Sequence, residues 1–325
     1  MSVPRTVVAD IGATNTRLGV MTGSKLTSQA VLRTQDYAGD PELLIKAISS
    51  WILRAANDDI RGIGLSFAGP TDDVAGTASL TNLEGWQSPV LVRSLLSQKL
   101  ADFRLDPPIC MGNDATLAAL AEYQYGGHRS KNLAYLTLST GVGGGVILGG
   151  KMYTGVNGGA AEFGHIQVNY ERASSRRCGC GRYGCLESEI SGTAIAKQAE
   201  EMLTIMRGSG IQNYLKAHGL HNEALTASIV ADMATDDIIE TKEIWWSAGR
   251  YLGRGLQVIA LAYNPEVIII GGSVSNASDL FLPEAVEVFR QGFEPNCTVP
   301  VRVTTLGDQI SLLGALALVT QTLDH

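Results

Sequence analysis

The sequence predicts an α/β protein of two domains. The chain has 325 residues, of which 45% are hydrophobic, and this length corresponds to two domains of ordinary size. Short apolar stretches typical of buried strands alternate with stretches in which apolar residues recur at helical spacing. A strand, a turn of small residues and a second strand also follow one another twice, once in each half of the chain.

The charge balance argues against nucleic acid as a partner. The net charge is -7 and 18% of the residues are charged, whereas proteins that bind phosphate backbones present basic patches. No signal peptide is recognisable, and the long apolar runs are broken by glycines or by residues such as Asn264 and Glu266. We therefore expect a cytoplasmic protein that does not bind membranes.

The first strand–turn–strand unit lies near the N-terminus. Its apolar strand ends at Asp10, and the turn contains Gly12, where the backbone can approach a ligand closely. Thr14, Asn15 and Thr16 then supply hydroxyl and amide groups suited to phosphate oxygens. The pattern predicts a phosphate-binding turn, and a plain hairpin with a capping Asp is the alternative.

The next elements lead back to the edge of a sheet. A helix is predicted over 41–57 and a buried strand over 62–66. Gly69, which precedes a proline, marks a turn at the carboxyl edge of the sheet, where α/β proteins bind ligands. Asn82 is a candidate contact for a substrate hydroxyl, and a turn-forming Asn is the alternative.

Asn113 and Asp114 stand between a short strand over 108–111 and a helix over 115–123. Either side chain could be the N-cap of that helix. The functional alternative is that Asp114 is a general base, because a carboxylate at the mouth of a sheet can accept a proton from an alcohol. The sequence leaves both roles open.

The second strand–turn–strand unit has a strand over 132–138 and a glycine-rich turn over 139–145. Thr140 and the backbone amides of Gly141 and Gly143 are candidate donors to phosphate oxygens. A glycine-rich hairpin without a ligand would explain one such turn. Two turns, one per half, favour a polyphosphate held by both.

Three cysteines and one histidine lie close together in the sequence. Cys178, Cys180 and Cys185 form the pattern C-G-C-G-R-Y-G-C, and His165 lies 13 residues before the first of them. Three thiolates and one imidazole are the ligands of a tetrahedral structural zinc site. A disulfide hairpin with a spare thiol is the alternative, but cytosolic thiols stay reduced, so we predict a zinc loop over 165–185.

The zinc loop would bring two carboxylates together. Glu162 precedes His165 by three residues and Glu187 follows the last cysteine by two, so folding on the metal would fix both side chains. His165 would bind zinc through one ring nitrogen and keep the other for a ligand hydroxyl. Solvated surface carboxylates are the alternative for both Glu residues. Cys110 and Cys297 stand apart, and we expect both to be buried.

The rest of the chain continues the alternation of strands and helices, although residues 202–237 give no clear pattern. Gly271 and Gly272 follow a buried strand, where they would admit a flat adenine ring against the backbone or simply allow close packing. The predicted helices cover 191–207, 241–262, 282–291 and 310–323, and the predicted strands cover 267–270 and 299–304.

Together these features resemble the ROK family of sugar kinases, which share the actin-like, hexokinase-like ATPase fold with two α/β domains flanking a central cleft. The resemblance covers nearly the whole chain. It rests on the two phosphate turns, on Asn113 and Asp114, on E-x-G-H at 162–165 and on C-x-C-G-x-x-G-C-x-E at 178–187. The last two motifs are highly specific.

The resemblance implies ATP-dependent phosphorylation of a hexose at its 6-hydroxyl, with Mg²⁺ accompanying the ATP and one structural Zn²⁺ per chain. It makes Asp114 the base for that hydroxyl, and Asn113, Glu162, His165 and Glu187 the residues that hold the ring hydroxyls. The implied ATP-binding residues are Asp10, Gly12, Thr14, Asn15, Thr16, Thr140, Gly141, Gly143, Gly271 and Gly272.

The resemblance also suggests domain limits, assembly and substrate. A smaller N-terminal domain would comprise 1–113 with about 309–325, and a larger domain 114–308; the chain would form a homodimer or a dimer of dimers. Segments 82–86 and 158–162 look closer to glucokinase-type members than to N-acetylhexosamine kinases. Glucose is therefore the predicted substrate, with N-acetylmannosamine or N-acetylglucosamine as the alternative.

Two other functions compete with the kinase. Some family members are sugar-responsive repressors with a DNA-binding element of roughly eighty residues before the first phosphate turn, whereas nine residues precede Asp10 here. A non-catalytic sugar-binding protein would need neither Asp114 nor two phosphate turns. We expect an enzyme.

Overall fold

The computed structural model describes residues 5–55, 60–80, 83–171, 173–205, 208–220 and 223–324. The α/β class predicted from the sequence is confirmed. The chain packs as two compact units, the first made of 1–129, 145–160 and 306–325 and the second of 130–144 and 161–305. The domain limits suggested by the sequence remain a prediction.

Among its described residues, the first unit contains a sheet of five strands, a two-stranded pair and four α-helices. The sheet strands are β1 (Arg5–Ile11), β2 (Asn15–Thr22), β3 (Lys25–Arg33), β4 (Ile60–Phe67) and β7 (Ile109–Asn113), and the pair is β5 (Thr71–Asp72) with β6 (Thr77–Ala78). The helices are α1 (Pro41–Ala55), α2 (Val92–Ala101), α3 (Asp114–Tyr125) and α10 (Ile310–Leu323). The strand order is β3-β2-β1-β4-β7, in which β1, β4 and β7 run parallel.

Helices cover both faces of this sheet. Alternate residues of β1 point to opposite sides, as a pleated strand requires: Val7 and Ala9 join the cluster that includes α1 and α2, and Val8 joins the cluster that includes α10. All three side chains are fully buried. The first unit is therefore a sheet sandwiched between helices.

The second sheet and the helices of the second unit come mainly from the middle of the chain. The strands are β8 (Leu133–Leu138), β9 (Val142–Leu148), β10 (Lys151–Met152), β11 (Val267–Gly271) and β12 (Val301–Val303), in the order β10-β9-β8-β11-β12. The helices are α4 (Leu186–Ile190), α5 (Gly192–Ile205), α6 (Gly210–Ala217), α7 (Ala227–Thr235), α8 (Ile239–Tyr263) and α9 (Leu282–Arg290). Short 3-10 helices cover Thr34–Tyr37, Phe163–His165, Ser273–Leu280, Asn296–Thr298 and Gly307–Gln309.

Most of the predicted elements are confirmed to within a few residues. Helix α8, predicted over 241–262, ends where Asn264 adopts the left-handed conformation at φ 41° and its backbone nitrogen bonds the carbonyl of Ala260. The segment without a clear pattern contains α6 and α7. Cys110 and Cys297 are buried as predicted. Among the described residues, no helix has both the length and the apolar composition that crossing a membrane requires.

Candidate active-site residues and metal centre

The carboxyl ends of β1, β4 and β7 lie side by side in the first unit. Asp10 of β1 pairs with Ser66 of β4, and Phe67 of β4 pairs with Asn113 of β7. Parallel strands that share a register bring the residues at their carboxyl ends to one edge of the sheet, which is where α/β proteins bind ligands. The fold therefore places the predicted residues Asp10, Asn113 and Asp114 at that edge.

Asn113 is the N-cap of α3. Its side-chain oxygen accepts hydrogen bonds from the backbone nitrogens of Ala115 at 3.0 Å and Thr116 at 3.2 Å. Its Nδ2 donates to the carbonyl of Gly69 at 3.3 Å. The capping role that the sequence left open between Asn113 and Asp114 therefore belongs to Asn113.

Asp114 is the first residue of α3, and its carboxyl group is a weaker acid than that of an ordinary aspartate. Burial raises the pKa of Asp114 to about 7, with the negative charge of Asp10 as the second cause. Burial also raises the pKa of Asp10 to about 6, while the positive charge of Arg17 opposes that shift. A carboxyl group with a pKa near 7 gains and loses its proton at neutral pH, which suits a general base.

The turn between β1 and β2 separates exposed residues from a buried one. The backbone nitrogen of Gly12 donates to the carbonyl of Asn15 at 3.0 Å, which closes the turn. Thr14 and Asn15 are exposed. Thr16 is fully buried, with its hydroxyl 2.9 Å from that of Thr34. The side chains of Thr14 and Asn15 are therefore exposed to solvent, whereas the hydroxyl of Thr16 is engaged with that of Thr34.

Gly69 and Asn82 were predicted near the same edge. A Cβ atom at Gly69 would lie 2.3 Å from the carbonyl oxygen of Ser79, so close backbone approach accounts for the glycine. Asn82 lies outside the described residues.

The predicted phosphate residues Thr140, Gly141 and Gly143 belong to the turn between β8 and β9 and to the start of β9. The turn is closed by a hydrogen bond from the backbone nitrogen of Ser139 to the carbonyl of Gly141 at 2.9 Å. Thr140 is exposed at its tip. A contact between Thr140 and a phosphate group stays a prediction.

His165, Cys178, Cys180 and Cys185 come together in the second unit, with their ligand atoms all within 4.8 Å of one another. Nδ1 of His165 is 3.6 Å from Sγ of Cys178, and the Sγ atoms of Cys180 and Cys185 are 3.7 Å apart. A tetrahedron with zinc–sulfur bonds of about 2.3 Å and a zinc–nitrogen bond of about 2.1 Å has edges of about 3.6 Å from N to S and about 3.8 Å from S to S. The four residues therefore form a group that could hold Zn²⁺.

The loop that carries these ligands keeps them as free thiols. All three cysteines are unbridged, so the disulfide alternative is not formed. Hydrogen bonds from Arg182 lower the pKa of Cys180 to about 6, which favours the thiolate that binds metals. Burial raises the pKa of Cys178, and raises that of Cys185 to about 12, so a bound cation would be needed to ionise these two.

A positive φ shapes the same loop. Gly184 adopts φ 70°, and a Cβ atom there would lie 1.9 Å from the carbonyl oxygen of Asn169. The Cβ atom of any other residue would clash with the backbone at Asn169 and move the loop away from it. Glycine at this position is therefore needed to bring Cys185 next to the other ligands.

The two predicted carboxylates have different surroundings. Glu162 is exposed and precedes the 3-10 turn that contains His165. Glu187 lies in the first turn of α4, where its Oε2 accepts a hydrogen bond from the backbone nitrogen of Val142 at 3.0 Å and its Oε1 is 3.8 Å from Sγ of Cys178. Glu187 is therefore not a solvated surface residue.

Glu189 is a residue of this site that no sequence motif marks. It is 1% exposed, and its carboxylate accepts hydrogen bonds from the backbone nitrogen and the guanidinium of Arg176, both at 3.0 Å, and from Nδ2 of Asn169 at 3.3 Å. These bonds tie two points of the loop that precede Cys178 to α4. Its helical neighbours Leu186 and Ile190 are apolar and buried. A carboxylate between apolar residues of one short helix is the feature of the sequence that could have indicated a buried, bonded Glu189.

The two glycines predicted to contact adenine lie where close packing leaves no room for a side chain. A Cβ atom at Gly271 would lie 2.2 Å from the hydroxyl oxygen of Tyr135. At Gly272, which has φ 86°, it would lie 2.3 Å from the carbonyl oxygen of Leu138. Contact with an adenine ring stays a prediction.

The fold is that of the hexokinase-like, actin-fold ATPases. The chain belongs to the ROK family, and the sequence model of that family matches residues 6–322. It is 34% identical to a glucokinase from Halalkalibacterium halodurans over 269 residues, which are 82% of this chain and 78% of that protein. It is 30% identical to an N-acetylmannosamine kinase from Vibrio cholerae over 203 residues, 62% of this chain and 66% of that protein.

A solved structure is similar over nearly the full length. The crystal structure of a ROK family glucokinase from Streptomyces griseus, in complex with glucose and AMPPNP, has a TM-score of 0.79 and 28% sequence identity. The alignment covers 98% of this chain and 99% of that one.

Proposed function

We propose that this protein is an ATP-dependent kinase that transfers a phosphoryl group to the 6-hydroxyl of glucose. The observation that carries the proposal is Asp114, a carboxyl group with a pKa of about 7 at the carboxyl edge of the first sheet. The similarity to two glucokinases supports the choice of reaction and of sugar.

In this proposal Asp114 accepts the proton of the sugar hydroxyl as the hydroxyl oxygen attacks the γ-phosphorus of ATP. The bond from that phosphorus to the β–γ bridging oxygen breaks, and ADP leaves. Phosphoryl transfer depends more on positioning and charge neutralisation than on covalent catalysis by the protein. Mg²⁺ bound with ATP supplies positive charge to the phosphates. The protein's part is to orient the hydroxyl, remove its proton and hold the phosphates still.

The other residues divide between the two substrates. The proposed sugar contacts are Gly69, Asn82, Asn113, Glu162, His165 and Glu187. The proposed ATP contacts are Asp10, Gly12, Thr14, Asn15, Thr16, Thr140, Gly141, Gly143, Gly271 and Gly272. The hydroxyl of Thr16 also lies 2.9 Å from that of Thr34.

Zn²⁺ has a structural part in this proposal. The cysteine cluster faces Nδ1 of His165, which leaves Nε2 for a sugar hydroxyl, because the ring nitrogen that does not bind metal is free to make a hydrogen bond. The ion would thus fix the orientation of a sugar ligand without entering the reaction.

A panel of sugars tests the proposal. We expect ATP consumption with glucose, mannose, N-acetylglucosamine or N-acetylmannosamine to give the highest kcat/KM for glucose, with the product phosphorylated at oxygen 6 by NMR. A highest value for N-acetylmannosamine would instead support the second candidate, which the Vibrio cholerae relative favours. Sugar binding without ATP consumption would contradict both and indicate a binding protein or regulator.

A cytoplasmic location and an assembly of two or four copies remain part of the proposal. ATP and free hexoses are the substrates expected of an enzyme in that compartment. Light scattering on the purified chain measures the number of copies directly.

A further inference from the structure

Residues that follow the cysteine loop hold the turn between β8 and β9. The backbone nitrogen of Gly192 donates to the carbonyl of Ser139 at 2.7 Å. The hydroxyl of Thr193 donates to the carbonyl of Thr140 at 2.9 Å. Both bonds fix carbonyl groups of the turn and therefore hold its backbone in place.

Glu187 makes the third and most sheltered of these contacts. Its Oε2 accepts a hydrogen bond at 3.0 Å from the backbone nitrogen of Val142, a residue that is 6% exposed. A Cβ atom at Gly141 would lie 2.7 Å from the same oxygen, so the glycine leaves the space that the carboxylate occupies. A hydrogen bond to a charged group in such a site is stronger than one in water.

We propose that Glu187 is a positioning residue for the nucleotide as well as a sugar ligand. One carboxylate oxygen fixes the turn that receives the phosphates, and the other remains for a hydroxyl of the sugar. The inference rests on the proposed function and deepens it, because one side chain then serves both substrates. By linkage, any change that sugar binding at this residue makes in nucleotide affinity is matched by an equal change that the nucleotide makes in sugar affinity.

Matched variants separate the two roles of Glu187. The Kd of AMPPNP with Mg²⁺ is measured by calorimetry in the absence of sugar. Loss of one hydrogen bond to a charged group predicts a rise of about ten- to a hundredfold in Glu187→Ala. Glu187→Gln keeps an acceptor for Val142, so its Kd stays within about twofold of wild type. Glu162→Ala removes the other proposed sugar carboxylate and weakens glucose binding, yet leaves the Kd of AMPPNP unchanged.

Hydrogen exchange distinguishes a local effect from a general loss of stability. The segment 139–144 contains the amide that Glu187 accepts from, so its exchange should accelerate in Glu187→Ala and not in Glu187→Gln. Global destabilisation would also accelerate exchange in buried parts of α8. Glu187→Asp keeps the charge but shortens the reach by one carbon, and it replaces the alanine variant if that variant does not fold.

Two results would overturn the inference. One is an AMPPNP Kd in Glu187→Ala or Glu187→Asp within twofold of wild type; the other is unchanged exchange at 139–144. If the wild type binds neither AMPPNP nor a hexose, the proposed function fails, while the exchange measurement still decides whether Glu187 holds the turn.

Discussion

Asp10, at the end of β1, lies near enough to Asp114, at the start of α3, for its negative charge to raise the pKa of the Asp114 carboxyl group beyond the effect of burial. Two acidic side chains on one sheet edge disfavour each other's ionisation. The edge therefore holds a carboxyl group that can take up a proton at neutral pH, where an ordinary aspartate could not.

Asp114→Asn should lower kcat by about 10²- to 10⁴-fold, the usual contribution of a general base. Glucose affinity should change by less than threefold, because the amide keeps the size and hydrogen-bonding reach of the carboxylate. A coupled assay gives kcat and calorimetry gives the Kd. Asp106→Asn, at an exposed position of the same unit, is the control; an unchanged kcat in Asp114→Asn would remove this residue as the base.

The value of kcat/KM for glucose should fall as the pH is lowered, with a midpoint near pH 7, because burial raises the pKa of Asp114 to about 7. Only the ionised carboxylate accepts a proton. Asp10→Asn removes a negative charge that raises this pKa, so the midpoint should move to lower pH even though the overall rate also drops. Rates measured between pH 5.5 and 8.5 test this. An identical midpoint in the two proteins would contradict the coupling.

Asp114 should also cost stability at high pH. Its folded-state pKa of about 7 lies above the ordinary value of 3.8, so folding favours the protonated form and the stability of the wild type falls as pH rises between these values. Asp114→Asn has no such group and should be more stable than wild type by about 1–2 kcal/mol at pH 8. Urea midpoints should show a smaller difference at pH 5.5; an equal difference at both pH values would rule out this origin.

Purified wild-type protein should contain one zinc ion per chain by mass spectrometry of metals. Cys180→Ser should lose most of that zinc and weaken glucose binding about tenfold, since His165 would no longer be oriented. Cys110→Ala, in the other unit, should keep the metal. Wild-type protein without zinc would end this account of the loop.

The metal centre was predictable because its ligands are local. His165 and Cys185 lie 20 positions apart, so the sequence alone limits how far their side chains can separate. Helix α10 was predicted with the limits that the structure shows, because an apolar run of that length is too long for a strand.

Contacts between distant residues were not predictable. Glu187 and Val142 are 45 positions apart, and Thr16 and Thr34 are 18 apart. The burial of Thr16 depends on which strand packs beside it, so residue type alone could not show it, and its contact with phosphate stays a prediction. Such pairings follow from the folded backbone and leave no local pattern in the sequence.

The position of α10 in the first unit bears on how the chain folds during synthesis. Leu312 and Leu316 of this helix pack with Val8 and Met21, which come from the opposite end of the chain. A ribosome that makes the chain from its N-terminus releases β1 and β2 long before the helix that shields one side of them. The nascent first unit therefore keeps an apolar surface exposed until this helix has been synthesised, and such exposed apolar surface is what chaperones bind.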